Sequence, residues 1–175
     1  IREILKYPQV ESITLVDLDP LMTKIFKSNQ QLVELNNGAL NSSKVKIIND
    51  DAFVWMKNKN KQKFDFIVID FPDPSNFSLG KLYSKSFFKI VKNTLSDEGL
   101  MVIQSTSPYF ARKSFWCVGN TIDHVGLRTT PYHAYVPSFG EWGYFIASKT
   151  AYKIPTSFVE GLKFLSVKTL QQMFE

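Results

Sequence analysis

A single cysteine, Cys117, is all the thiol chemistry in this chain of 175 residues. One thiol excludes an internal disulfide and any cysteine-built metal cluster, and it fits a reducing, intracellular setting. Histidine is almost as scarce. His124 and His133 lie late in the chain without metal-ligand spacing, so no metal is expected. No apolar run approaches the roughly 20 residues of a membrane-crossing helix. A secretory leader is not expected either, because the opening "IREILKYP" is charged and amphipathic. Internal repeats and linkers rich in Gly, Pro or Ser are missing too.

What is present describes a globular chain. Hydrophobic residues make up 44% of the sequence and aromatics 14%, enough for one core and too many for a disordered segment. The formal charge of +5 raises a nucleic-acid reading. Its lysines, however, are scattered along helical stretches and the "KNKNKQK" turn, without the interleaved aromatics of a nucleic-acid groove. No nucleic-acid partner is expected.

Apolar strands alternate with amphipathic helices along most of the chain. Residues 1–8 read as the end of an amphipathic helix closed by Pro8. "SITLVDLD", "KVKIIND", "KFDFIVIDF" and "GLMVIQSTS" read as strands. "PLMTKIFKSNQQLVEL", "DAFVWMKNKN", "KLYSKSFFKIVKNTLS" and "KSFWCVGNTIDHVG" read as helices. "RTTPYHAYVP" and "EWGYFIASK" form an antiparallel pair joined by a short turn. Helical crossovers between strands predict an α/β fold with a mostly parallel sheet, covered on both faces. Residues 1–150 are expected to form the working domain. Residues 151–175 are a separate extension, a short turn and helix packed on or beyond it.

Ligands of such sheets sit at the carboxyl ends of the strands. Asp17 and Asp19, Asp50 and Asp51, Asp70 and Asp73, and Gln104 all fall there. Asp19, directly before Pro20, suits a helix cap, which leaves Asp17 for the two hydroxyls of a ribose. In "NDDAF", one acid can cap the helix while the other accepts from the amine of an adenine. The stretch "DFPDP" places Asp70 and Asp73 in a loop stiffened by Pro72 and Pro74. Two anions there repel each other unless a cation is near, and an amine is favoured over a metal. The aromatics Phe71, Phe77, Tyr83, Tyr109, Tyr132, Tyr135, Phe139, Trp142 and Tyr144 are core or rim residues, some suited to a slot for an alkyl amine. His124 is expected at the surface near a helix end, His133 packed in a strand, and Cys117 buried as a small hydrophobe.

Several segments, in order, resemble the aminopropyltransferases, the spermidine synthase family. They are "REILKYPQVESITLVDLDP", "DDAFVWMK", "FDFIVIDFPDP", "KLYSKSFFKIVKNTLSDEGLMVIQSTSP" and "PYHAYVPSFGEWGYFIASK". "VPSFGEWGY" is closest to the bacterial branch with an N-terminal membrane region. The resemblance implies a Rossmann-like fold of the class I S-adenosylmethionine-dependent methyltransferase type. It implies transfer of an aminopropyl group from decarboxylated S-adenosylmethionine, a co-substrate rather than a cofactor, to putrescine, leaving methylthioadenosine. Asp70 matches the catalytic base and Asp73 the second acid that helps hold the amine. Gln104 matches a pocket glutamine, and Tyr83 falls near the gate. Asp17 matches the ribose acid and Asp51 the adenine acid, with Asp50 beside it in the donor site. A cytoplasmic homodimer is implied, at the face of the inner membrane if a membrane region precedes the chain.

Two departures from the family stand out. The glycine-rich turn before the segment matching "IREILKYP", and the first strand leading into it, are missing from this sequence. Phe139 stands where the family often has Tyr, removing one hydroxyl from the acceptor side. The rival readings are an inert fragment or polyamine- or nucleoside-binding domain, and, third, a methyltransferase.

Overall fold

In the computed structural model, which describes residues 1–58 and 62–175, strand β1 (Ile13–Asp17) leads into helix α1 (Pro20–Ser28) and helix α2 (Gln30–Leu35). Strand β2 (Val45–Asn49) then returns parallel to β1, with Asp17 opposite Asn49. Helix α3 (Ala52–Asn58) follows. The two strands and two helices belong to the first of two compact units, Ile1–Trp55 with Ser157–Lys163.

The second unit comprises Met56–Thr156 and Phe164–Glu175. It holds strand β3 (Phe64–Ile69), helix α4 (Phe77–Gly80), a 3-10 turn at Lys81–Tyr83, helix α5 (Lys85–Thr94) and strand β4 (Leu95–Gln104). Helix α6 (Arg112–His124), strand β5 (Arg128–Val136), strand β6 (Gly140–Ser148) and helix α7 (Val167–Met173) complete it. Its sheet runs β3-β4-β6-β5. The β3/β4 ladder is parallel, whereas β6 pairs antiparallel with both β4 and β5. The expected βα crossovers and the C-terminal antiparallel pair are both present.

The core of this unit forms where α5 and α6 pack on β4 and β6. Ser84 caps α5 by accepting from the Phe87 amide. Phe87, Phe88 and Val91 then point inward and are fully buried, as are Met101 and Ile103 of β4. Each such side chain contributes on the order of 1.5–3 kcal/mol by leaving water. Phe115 of α6 stacks on Phe145 of β6 at 4.4 Å. Gly119 permits that approach, because a Cβ there would sit 2.7 Å from the Phe145 ring.

Several expectations need correction. The N-terminal segment forms only a 3-10 turn, Ile4–Lys6. Tyr7 is extended (ψ 113°), as expected of a residue before proline, and the helix cannot grow past it. The stretch 20–35 is two helices rather than one. Asn29 is extended and its side chain accepts from the Leu32 amide at 3.2 Å; an asparagine that bonds backbone locally restarts the helix. Strand β4 begins at Leu95, inside the stretch read as helix. Cys117 is exposed. The buried face of α6 is Phe115, Val118, Gly119 and Ile122, a helical stripe that excludes position 117. The sheet is not covered on both faces either: Phe66 and Val68 of β3 are 47% and 55% exposed. An apolar strand reports its own preference and not what covers it. The far end of the helix read over 51–60, and the middle of the lysine-rich turn, lie outside the described residues.

Residues 164–175 pack on the second unit. Phe174 lies 5.6 Å from the Tyr132 ring and 6.2 Å from Tyr152, and Leu170 is buried. No helix among the described residues is long and apolar enough to cross a membrane.

Candidate functional site

Each unit gathers polar side chains at the carboxyl ends of its parallel strands. In the first, Asp17 ends β1 and accepts the Asp19 amide through Oδ1 at 2.8 Å. Asp19 accepts the Leu21 amide at 2.8 Å and so caps α1. On the neighbouring strand, Asn49 donates from Nδ2 to the Asp17 carbonyl, and the Asp50 amide donates to the same oxygen. Asp50 accepts from the Asp51 amide at 2.8 Å. Asp51 accepts from Phe53 and Val54 at 2.8 and 3.2 Å, which makes it the cap of α3. Asp17, Asp50 and Asp51 therefore meet at one edge, with their backbones fixed by the β1/β2 register.

In the second unit, β3 stops at Ile69 and the next residues, Asp70 to Pro74, form an irregular loop. Asp70 is exposed and Asp73 half-buried. Two buried side chains hold this loop from below. The Tyr83 hydroxyl donates toward the carbonyls of Phe71 and Pro72, each at 3.2 Å. Gln104, the last residue of β4, donates from Nε2 to the Phe71 carbonyl, to Asp73 Oδ1 at 3.3 Å and to the Tyr83 oxygen at 3.2 Å. Its Oε1 accepts from the Trp142 indole at 2.7 Å and from the Thr106 amide at 3.3 Å. The four residues Asp73, Tyr83, Gln104 and Trp142 thus form one connected network.

The field of the two acids is felt nearby. Burial, reinforced by the charge of Asp73 and then Asp70, pushes the Tyr83 phenol well above its usual range. Tyr144, directly across the ladder from Gln104, is raised by burial and then by Asp70. Among the described residues, no ion pair neutralises Asp70 or Asp73. None of these residues forms a group of three or more His, Cys, Asp or Glu arranged to hold a metal ion. Such an arrangement is suited to receive an organic cation on an anionic loop whose shape is set by buried hydrogen bonds.

The remaining candidates fall differently. Phe139, 63% exposed, lies at the β5/β6 turn with its ring 5.2 Å from Trp142. His124 is exposed in the last turn of α6, as expected. His133 does more than pack: its Nδ1 lies 2.8 Å from Glu141 Oε2, and its ring stands perpendicular to that of Tyr109. In the sequence, Trp142 and Tyr144 are only two among several core or rim aromatics. The β5/β6 hairpin pattern puts both on one strand, but the pairing of that strand with the end of β4 is tertiary.

The fold is of the Rossmann-like, methyltransferase type. It superimposes with a TM-score of 0.83 on a spermidine synthase solved with the transition-state analogue AdoDATO, at 22% identity, covering 99% of this chain and 61% of that one. The spermidine synthase of Thermotoga maritima gives the same score at 20% identity, covering 99% of this chain and 60% of that one. Sequence carries the assignment further. The chain belongs to the spermine/spermidine synthase family, whose domain matches residues 1–158. Polyamine aminopropyltransferase 2 of Ralstonia nicotianae is 49% identical over 99% of this chain and 34% of its own length. The polyamine aminopropyltransferase of Leptospira interrogans gives the same identity and the same two coverages. The chain spans about a third of the length of these curated relatives.

Proposed function

We propose that the protein transfers an aminopropyl group from decarboxylated S-adenosylmethionine to putrescine, forming spermidine and releasing methylthioadenosine. The observation that carries this reading is the Asp70–Asp73 loop, pinned by Tyr83 and Gln104 and without a cationic partner among the described residues. A diamine supplies the missing positive charge. The polyamine aminopropyltransferase relatives support the same chemistry.

The reaction needs little acid catalysis. The sulfonium is already a good leaving group, whereas an alkylammonium with a pKa near 10 has no lone pair to attack with. Asp70 accepts a proton from the acceptor ammonium. The freed nitrogen then attacks the aminopropyl carbon bonded to sulfur. As the new C–N bond forms, the C–S bond breaks, and its electron pair neutralises the sulfur. Asp73, held by the Gln104 amide, fixes the chain of the diamine. Alignment of the amine with the carbon beside sulfur contributes alongside proton transfer.

Three further acids serve the donor in this reading. Asp17 accepts from the ribose hydroxyls, and Asp51, flanked by Asp50, accepts from the adenine amine. The donor is consumed, so no separate cofactor is required. A cytoplasmic homodimer belongs to the same proposal, and light scattering tests the dimer.

Replacement Asp70→Asn tests the reading. The amide is nearly isosteric but accepts no proton, and turnover should fall by at least about a hundredfold, with methylthioadenosine binding nearly unchanged. Wild-type turnover in this variant would remove Asp70 from the reaction.

A further inference from the structure

The geometry points to Trp142 as a positioning residue that fixes which way the Gln104 amide faces, and through it the placement of Asp73. This inference rests on the proposed role of Asp73 in holding the acceptor amine. An amide side chain presents an oxygen on one side and an NH2 group on the other, and the two ends are nearly the same shape. Its orientation is therefore chosen by its neighbours. The indole Nε1–H is a donor only, so at 2.7 Å it admits only the Gln104 oxygen. The Thr106 amide, also a donor only, points at that oxygen from a second direction at 3.3 Å.

Thr106 adopts φ 61°, a left-handed conformation that a β-branched residue rarely takes. Two backbone bonds hold it there. The Gly143 amide donates to the Thr106 carbonyl at 2.7 Å, and the Ser105 amide donates to the Gly143 carbonyl at 2.9 Å. Strand β6 therefore carries the indole and, one residue later, the backbone that holds the strained donor.

With its oxygen fixed on this side, Gln104 has to present its NH2 to the acidic loop. There it meets three acceptors: the Phe71 carbonyl, Asp73 Oδ1 and the Tyr83 oxygen. A flipped amide would set its oxygen against a carboxylate and a carbonyl, with Trp142 Nε1–H facing another N–H. Gln104 itself is only 8% exposed, so water would not relieve that mismatch. Trp142 thus does more than line a slot with its ring.

The test uses Trp142→Phe, together with a variant carrying 3-benzothienylalanine at position 142. The latter keeps the bicyclic shape and replaces the N–H by sulfur. Two quantities are read on the full-length protein: the KM for putrescine against that for decarboxylated S-adenosylmethionine, and the Gln104 side-chain amide signals in a 15N-glutamine spectrum, assigned by their loss in Gln104→Leu. Both variants should raise the diamine KM about tenfold, as expected for one lost buried hydrogen bond. They should leave the donor KM within about twofold and move the Gln104 signals. Unchanged diamine KM, or unmoved signals, in the benzothienyl variant would overturn the inference even if Trp142→Phe fails to fold. If the wild-type protein turns over no diamine, the functional reading fails, and the amide signals alone then decide the positioning role.

Discussion

The Tyr83 hydroxyl lies 3.2 Å from the carbonyl oxygens of both Phe71 and Pro72, so one buried phenol fastens the backbone between the two acids of the loop. Neither proline can donate a backbone hydrogen bond, and the loop depends on side chains from elsewhere for its shape. Tyr83→Phe should therefore lower stability by about 1 kcal/mol, the usual worth of such a bond. It should lower turnover more than it lowers nucleoside binding. Chemical denaturation, a turnover assay and binding calorimetry on the same preparation read these effects.

Alkaline titration tests the same phenol independently. Burial and nearby acids raise Tyr83 above its ordinary value, as burial first raises Tyr132, Tyr144 and Tyr152. An unfolded tyrosine titrates near 10. The stability these phenols contribute is thus fully present below about pH 10 and lost as pH rises through their raised folded values. Phenolate absorbance should show a late-titrating set that loses one member in Tyr83→Phe. A native Tyr83 ionising near pH 10 would contradict its buried setting.

If Asp17 holds the ribose as proposed, Asp17→Asn should weaken methylthioadenosine binding by about 10- to 100-fold, the loss of a charged acceptor. Folding should be little affected, since an asparagine oxygen can still accept the Asp19 amide. Asp51→Ala should weaken that binding too and, unlike Asp17→Asn, also cost about 1 kcal/mol of stability through loss of the α3 cap. Isothermal titration with methylthioadenosine and thermal unfolding separate the two effects.

Gly143 offers a check on the packing behind the Gln104 network. A Cβ there would lie 2.5 Å from the Phe115 ring and 2.9 Å from the Thr106 carbonyl. Gly143→Ala should destabilise the protein by about 1–3 kcal/mol, the range for overpacking a filled site. Because the Thr106 carbonyl is one of the groups crowded, activity should fall as well. A variant with wild-type stability would show that β6 can shift away from α6.

Much of this arrangement was legible in the sequence because its causes are local. Strand ends followed by acids, Pro20 after Asp19, and apolar stripes at helical spacing all act over a few residues. The Asp70–Asp73 loop stood out for the same reason. What sequence could not supply was tertiary. Cys117 looked like a core residue because small hydrophobes usually are, yet α6 turns a different stripe inward. Asn29 breaks a helix that apolar spacing alone would continue. The Trp142–Gln104 bond joins residues brought together only by the antiparallel pairing of β4 with β6, whose register no short stretch encodes.

The most direct measurement is methylthioadenosine release by the full-length protein, with decarboxylated S-adenosylmethionine as donor and putrescine, cadaverine and spermidine as acceptors. Release that depends on a diamine, is highest with putrescine and is lost in Asp70→Asn is the expected result. A folded protein that binds methylthioadenosine but releases none with any amine would contradict the proposed transfer.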